Sequence, residues 1–206
     1  MFCTLDHSEF NREPTMLQSM LMDRTRQFVS RHNWPLRLDA AGVETDEYDD
    51  GLTTYCLVTE AGLHRASVRL RPAAAGSMVE RHFPALWQAD LRTGVEITRF
   101  CAAPDLSPDD RLTAVADLLL GLCRHCQRTG IGSFFGVVFP AVARVMKQAG
   151  WPAVVLNQTR GADGSLLLAR WTPSNLVAWS IQERRELREE IWAKRRETSV
   201  PPRLVA

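Results

Sequence analysis

Apolar positions recur along this chain with two periods, one helical and one of strands. Over residues 13–33 they follow the helical period, with Met16, Leu17, Met20, Leu21 and Phe28 near one stripe, and Pro35 closes the run. Residues 52–59 and 63–70 are rich in apolar and β-branched side chains and flank Glu60-Ala61-Gly62, which predicts a hairpin. Residues 39–51, between the helix and this hairpin, hold Glu44, Asp46, Glu47, Asp49 and Asp50 and read as an acidic loop. Residues 72–93 are irregular, with a short helix expected over 79–86, and 94–102 alternate as a strand.

Ser107 then offers an N-cap, Pro108 a first helical residue, and Asp109 and Asp110 first-turn acids for a helix that runs to about Thr129 and stops at Gly130. A strand over 131–139, a helix over 140–149 ended by Gly150, and a strand over 151–158 follow. A turn over 161–164 leads to a strand over 165–171, and a charged helix, continuous or broken, covers about 173–197. Strands alternating with helices around one sheet predict an α/β fold with mixed strand directions. No repeat, low-complexity tract or linker divides residues 1–206, so one domain is expected.

Composition narrows the function classes. With 45% hydrophobic and 24% charged residues among 206, the chain is an ordinary globular protein rather than a disordered one. Lys and Arg number 25 and Asp and Glu 24, a balance that argues against a dedicated nucleic-acid binder. Lys147 and Lys194 are the only lysines. Coding bias is the favoured account of the excess, with arginine's fit to planar carboxylate and phosphate ligands as the alternative. Five cysteines form no disulfide framework, no signal peptide is visible, and no apolar run reaches membrane-spanning length, so a cytoplasmic setting is expected.

Several local motifs lead nowhere. Gln127-Arg128-Thr129-Gly130-Ile131-Gly132 matches a pyrophosphate-binding loop, but it follows a helix and precedes a strand, where carbonyls rather than N–H groups point outward. Cys123 and Cys126 lack the second ligand pair of a structural zinc site and read as packed thiols, so no metal is expected. Cys101 has no evident histidine partner. The charged C-terminal run reads as a solvated helix docked by Leu187, Ile191 and Trp192, with a partner surface as the alternative.

A dispersed set is more informative. Arg24 and Phe28 share a helix face, Trp34 follows, and Asp46 and Asp49 lie in the acidic loop. Aromatic faces attract cations, carboxylates attract ammonium groups, and arginine attracts carboxylates. Such a set fits a ligand with both a cation and a carboxylate.

In order, Arg24-x3-Phe28-x5-Trp34, Asp46-x2-Asp49, Arg69 within Val68-Arg69-Leu70-Arg71-Pro72, Glu96-x2-Arg99-Phe100 and Lys147-x-x-Gly150-Trp151 resemble the acyl-homoserine-lactone synthase family, the LuxI-type autoinducer synthases. The resemblance spans residues 24–151 and implies a fold similar to the GNAT acyltransferases. It further implies acyl transfer from a thioester, on acyl carrier protein or coenzyme A, to the amine of S-adenosylmethionine. Lactone closure then expels methylthioadenosine, giving a quorum-sensing signal. Both reactants are substrates, and no cofactor is implied.

On that resemblance, Arg24, Phe28, Trp34 and Phe100 shape the adenosylmethionine pocket, Asp46 holds the amine, and Asp49 and Arg69 organise the acidic loop. Glu96 is the candidate general base, and Arg99 orients substrate or loop. Phe134, Gly136, Val138 and Met146 would line the acyl pocket, with Gly136 favouring a chain without a 3-oxo group. Arg124, Arg128, Arg144 and Lys147 would dock an acidic carrier protein. Residues three apart on a regular strand face opposite sides, so Glu96 and Arg99 can share a cleft only through a bulge near Thr98 or a strand end there. The competing readings are a GNAT-type acetyltransferase of a small amine and a non-catalytic adenosylmethionine-binding relative.

Overall fold

The computed structural model describes residues 1–6, 8–10, 12–161 and 164–198. Its elements are β1 (Phe2–Asp6), α1 (Pro14–Thr25), β2 (Thr54–Glu60), β3 (Leu63–Pro72), α2 (Met78–His82), β4 (Val95–Ala102), α3 (Pro108–Thr129), β5 (Phe134–Val138), α4 (Pro140–Gln148), β6 (Val154–Gly161), β7 (Gly164–Trp171) and α5 (Asn175–Thr198). The strands form one seven-stranded sheet in the order β1-β2-β3-β4-β5-β7-β6. Only β4 and β5 run parallel, so the sheet is mixed, as expected.

Alternation along each strand sorts side chains onto two unlike faces. One face carries Cys56, Val58, Ala66, Val68, Leu70, Ile97, Phe134, Ala169 and Trp171, which pack with Leu118, Leu119 and Leu122 of α3, Met146 of α4 and Ile181 of α5 into the main core. The other face is apolar only at its flanks. Leu5, Tyr55 and Leu57 lie with Met20 of α1 on one side, and Phe135 and Leu168 lie with Val79, Leu86 and Leu91 on the other. Between these clusters the same face presents Arg69, Arg71, Glu96 and Thr98, from the facing pairs Arg69↔Thr98 and Arg71↔Glu96. The candidate site lies in that polar gap.

Several boundaries differ from the expectations. The helix expected over 13–33 is α-helical only to Thr25 and widens into a π-helix over Arg26–Arg31, with Asn33 left-handed at φ 52°. Strand β1 was not expected; five residues pair with β2 and are too short to show a period. Strand β5 starts at Phe134 rather than 131, and β6 is displaced to Val154–Gly161 because Trp151 turns into the core. The turn expected over 161–164 includes residues outside those described.

Ser107 caps α3 and Gly130 ends it at φ 74°, the left-handed C-cap that excludes a phosphate loop there. Helix α5 is unbroken, and it docks through Val177, Ala178 and Ile181, whereas Leu187 and Ile191 point to solvent. Cys101, Cys123 and Cys126 are buried thiols. Among the described residues no helix is long and apolar enough to cross a membrane.

Candidate active site

The last turn of α1, the acidic loop and the centre of β3 and β4 converge on one cluster of charges. Arg24 lies between two acids: its Nε and Nη2 donate to Glu44 Oε2 at 2.9 and 2.6 Å, and its Nη1 and Nη2 donate to Asp49 at 3.0 Å each. Arg69 donates to Asp46 Oδ2 at 3.0 Å, to Asp49 Oδ1 at 2.8 Å and to Thr98 Oγ1 at 2.9 Å. Arg99 donates to Glu44 Oε1 at 3.1 and 2.8 Å and to Asp46 Oδ2 at 2.7 Å. Three guanidinium groups thus face three carboxylates, and the formal charges cancel. Each bond is charge-assisted, and cancellation lets the group sit inside the protein.

The loop is shaped to present these acids. The Tyr48 N–H donates to Asp46 Oδ1 at 2.9 Å, an Asx turn, and the Asp46 N–H donates to Asp49 Oδ2 at 2.9 Å, which links the two acids across the Asp-x-x-Asp interval. The Glu44 N–H donates to Thr25 Oγ1 at 2.7 Å, tying the loop to α1. Asp49 also accepts from the Tyr55 hydroxyl. Burial works against the Asp49 charge, but the hydrogen bonds and charge of Arg24, with Arg69 and Tyr55, outweigh it and hold the carboxyl well below the usual range.

The strand difficulty is resolved by a bulge. Arg69 faces Thr98 while Ser67 faces Cys101, so Arg99 and Phe100 are accommodated against one residue of β3, and Arg99 takes the left-handed φ of 54°. The bulge turns Arg99 toward Glu44 and Asp46, on the face that also carries Glu96. Phe100 packs against the main core and so lies apart from Phe28 and Trp34.

Glu96 is 3% exposed. Its two carboxylate oxygens accept the N–H groups of Met78 and Val79 at 2.9 and 3.0 Å, at the start of α2. Burial pushes its carboxyl above the ordinary value, opposed by Ser77, the two backbone N–H groups and the Arg69 charge. It pairs with Phe135 at the last parallel rung between β4 and β5. The parallel pairing ends at that rung, and the next residues still lie close, since a Cβ built on Gly136 would stand 2.4 Å from the Ile97 carbonyl oxygen.

Phe28 and Trp34 stack with ring centroids 5.0 Å apart and planes within 10°, and Phe139, at the head of α4, lies 6.2 Å from Trp34. The Arg99 guanidinium lies over the Phe28 ring at 5.8 Å. On the other side of the acidic loop a cavity of about 400 Å³ opens between Tyr48, Arg71, Ser77 and Glu80.

The structure therefore brings together Arg24, Phe28, Trp34, Asp46, Asp49, Arg69, Glu96 and Arg99. Arg24 departs from expectation: it is 1% exposed and its donors serve Glu44 and Asp49, so it braces the loop instead of receiving a ligand carboxylate. Phe134 and Met146 are fully packed in the main core, with Phe134 against Trp151 and Trp171; Val138 is half-buried at its edge. Arg124, Arg128, Arg144 and Lys147 are exposed on α3 and α4. Glu44, Tyr55 and Phe139 were not singled out in the sequence. Glu44 lies in a run of acids with nothing to mark it as the one that is 0% exposed.

A family model described as autoinducer synthase matches residues 8–175. An acyl-homoserine-lactone synthase of Agrobacterium fabrum is 25% identical over 185 residues, 85% of this chain and 87% of that protein. A coenzyme A-dependent acyl-homoserine lactone synthase, solved with S-adenosylmethionine and isopentyl-CoA, superposes with a TM-score of 0.77 at 21% identity, covering 90% of this chain and 89% of that one. An acyl-CoA N-acyltransferase from Pseudomonas aeruginosa shares the fold more distantly, with a TM-score of 0.54 at 14% identity over 82% of this chain and 98% of that one. The chain belongs to the autoinducer synthase family, acyltransferases that make acyl-homoserine-lactone signals.

Proposed function

We propose that S-adenosylmethionine lies along the Asp46–Arg99 edge of the charge network, with its amine at Asp46, its sulfonium at the Phe28–Trp34 stack, and the acyl thioester entering at the end of the β4–β5 pairing. The observation that carries this reading is the polar gap itself. A sheet face apolar at both flanks commits its centre to a balanced set of charges, next to an aromatic stack and a buried carboxylate.

In the first step the amine loses a proton to Glu96, directly or through a water, and attacks the thioester carbonyl. The tetrahedral intermediate collapses, the C–S bond breaks, and the thiolate leaves with a proton. In the second step the methionyl carboxylate attacks its own γ-carbon. The Cγ–S bond breaks, its electron pair neutralises the sulfonium, and methylthioadenosine departs. No enzyme nucleophile is needed, and positioning supplies most of the rate.

Gly136 supplies no hydroxyl for a 3-oxo group, and the Ile97 carbonyl fills the place of a side chain, which favours an unsubstituted acyl chain. The donor is acyl-coenzyme A, as in the solved relative, or an acyl carrier protein met by Arg124, Arg128, Arg144 and Lys147. No cofactor takes part. Five free cysteines fit a reducing, cytoplasmic setting.

The reading is tested by incubating purified protein with S-adenosylmethionine and a series of acyl-coenzyme A and acyl carrier protein donors. Matched release of methylthioadenosine and acyl-homoserine lactone is expected. Acylation of a small amine without methylthioadenosine release would support the acetyltransferase alternative, and binding without turnover the non-catalytic one.

A further inference from the structure

Arg99 holds both places that the proposed function assigns to the cations of the substrate. Its Nη2 donates to Asp46 Oδ2 at 2.7 Å, where the amine would sit, and its guanidinium lies 5.8 Å from the Phe28 centroid, where the sulfonium would sit. We propose that Arg99 is a placeholder that S-adenosylmethionine displaces, so that substrate entry exchanges one cation for another. This inference rests on the assignment of Asp46 and the aromatic stack given above.

Arg99 differs from the other two arginines of the network. Arg24 and Arg69 have side chains 1% exposed, whereas that of Arg99 is 9% exposed. Among the acids, Asp46 is the most open at 16%, against 8% for Asp49 and 0% for Glu44. The open edge of the network is thus the Asp46–Arg99 contact. Arg69 remains on both oxygens of Asp46 if Arg99 leaves, so the acid is not stranded.

S-adenosylmethionine carries an ammonium, a sulfonium and a carboxylate, one net positive charge, as does Arg99. The exchange therefore leaves the charge around Glu44, Asp46 and Asp49 unchanged, so it avoids the cost of adding a charge to a buried site. The bulge fixes the Arg99 backbone, which confines the movement to the side chain.

Each arginine of the network donates its Nε–H to a protein oxygen, Arg24 and Arg99 to Glu44 and Arg69 to Thr98. Their Nε–H signals are therefore expected in nitrogen-15 NMR spectra of the intact protein, with Arg99 assigned by its loss in Arg99→Lys. Saturating S-adenosylmethionine is expected to move or remove the Arg99 signal and leave those of Arg24 and Arg69 in place.

Calorimetry on the same samples completes the test. Arg99→Gln is expected to bind S-adenosylmethionine as tightly as the wild type or tighter, because no placeholder has to be displaced, while Asp46→Asn binds at least roughly tenfold more weakly. Saturable binding with an unmoved Arg99 signal overturns the exchange and leaves the site assignment standing. Binding by Asp46→Asn at wild-type affinity overturns the assignment, and the exchange with it.

Discussion

Arg24 and Glu44 meet at 2.6 Å with side chains 1% and 0% exposed, so the acidic loop is anchored to the first helix by an ion pair sealed from water. Such a pair adds little net stability while whole, but removing one partner strands the other charge in a medium that cannot solvate it. Glu44 also receives Arg99, so its loss takes a carboxylate from two buried cations, leaving Arg24 with Asp49 alone and Arg99 with Asp46 alone. Glu44→Ala should therefore lower the unfolding free energy by about 3–5 kcal/mol in chemical denaturation. A loss below about 1 kcal/mol would show that the pair is solvated and the network does not hold the loop.

Acid should loosen the same network with a definite sign. Asp49 titrates below its ordinary value of 3.8 in the folded protein. A carboxyl depressed by folding contributes stability that is present above the unfolded value and lost as pH falls toward the folded one. Unfolding free energy should thus decline below about pH 4. In Asp49→Asn that decline should be shallower, starting from a lower plateau. Parallel pH profiles for the two proteins contradict this assignment.

Glu96 should show the opposite direction. Burial raises its carboxyl, so a rate limited by its basic form climbs over a range above that of an ordinary glutamate. Glu96→Gln should lose roughly 100- to 10,000-fold in kcat/KM and abolish this pH limb. Adenosylmethionine affinity should stay close to wild type, since Glu96 faces the N–H groups of α2 rather than the aromatic stack. An unchanged pH profile in the variant would assign the proton to another group.

Gly136 is a position where space decides. A Cβ there would meet the Ile97 carbonyl oxygen at 2.4 Å and its Cγ2 at 2.9 Å, so Gly136→Ala must push β4 from β5. Overpacking of this kind costs about 1–3 kcal/mol, and the thermal midpoint and lactone yield should both fall. A variant that keeps both would place the acyl chain elsewhere.

Much of this was legible in the sequence where local chemistry decides the outcome. Ser107-Pro108 and Gly130 mark the ends of α3 because capping is a local matter. Asp46 and Asp49 stand out as acids of one loop whose spacing resembles the family's, and a local turn closed by Asp46 N–H to Asp49 Oδ2 and Asp49 N–H to the Asp46 carbonyl fits that interval. The bulge at Arg99 followed from requiring Glu96 and Arg99 on one side of a strand.

What could not be read depends on partners distant in the chain. Glu44 is distinguished from its acidic neighbours only by two arginines 20 and 55 residues away. Arg24 looks like a ligand-binding arginine until the loop folds over it. Helix α1 gives no hint of its π turn, because a widened turn keeps the composition of the helix it interrupts. Strand β1 is too short to show alternation, and it exists only by pairing with β2.

The central claim is that this chain makes an acyl-homoserine lactone with Glu96 as its base. Mass spectrometry of lipophilic extracts from a heterologous bacterium expressing the wild type or Glu96→Gln tests it most directly. An acyl-homoserine lactone abundant with the wild type and strongly reduced with the variant is the predicted result, and the mass of the product identifies the acyl chain. Equal lactone from both proteins would contradict the role of Glu96. Absence of lactone from both, together with no adenosylmethionine binding by the purified wild type, would contradict the account as a whole.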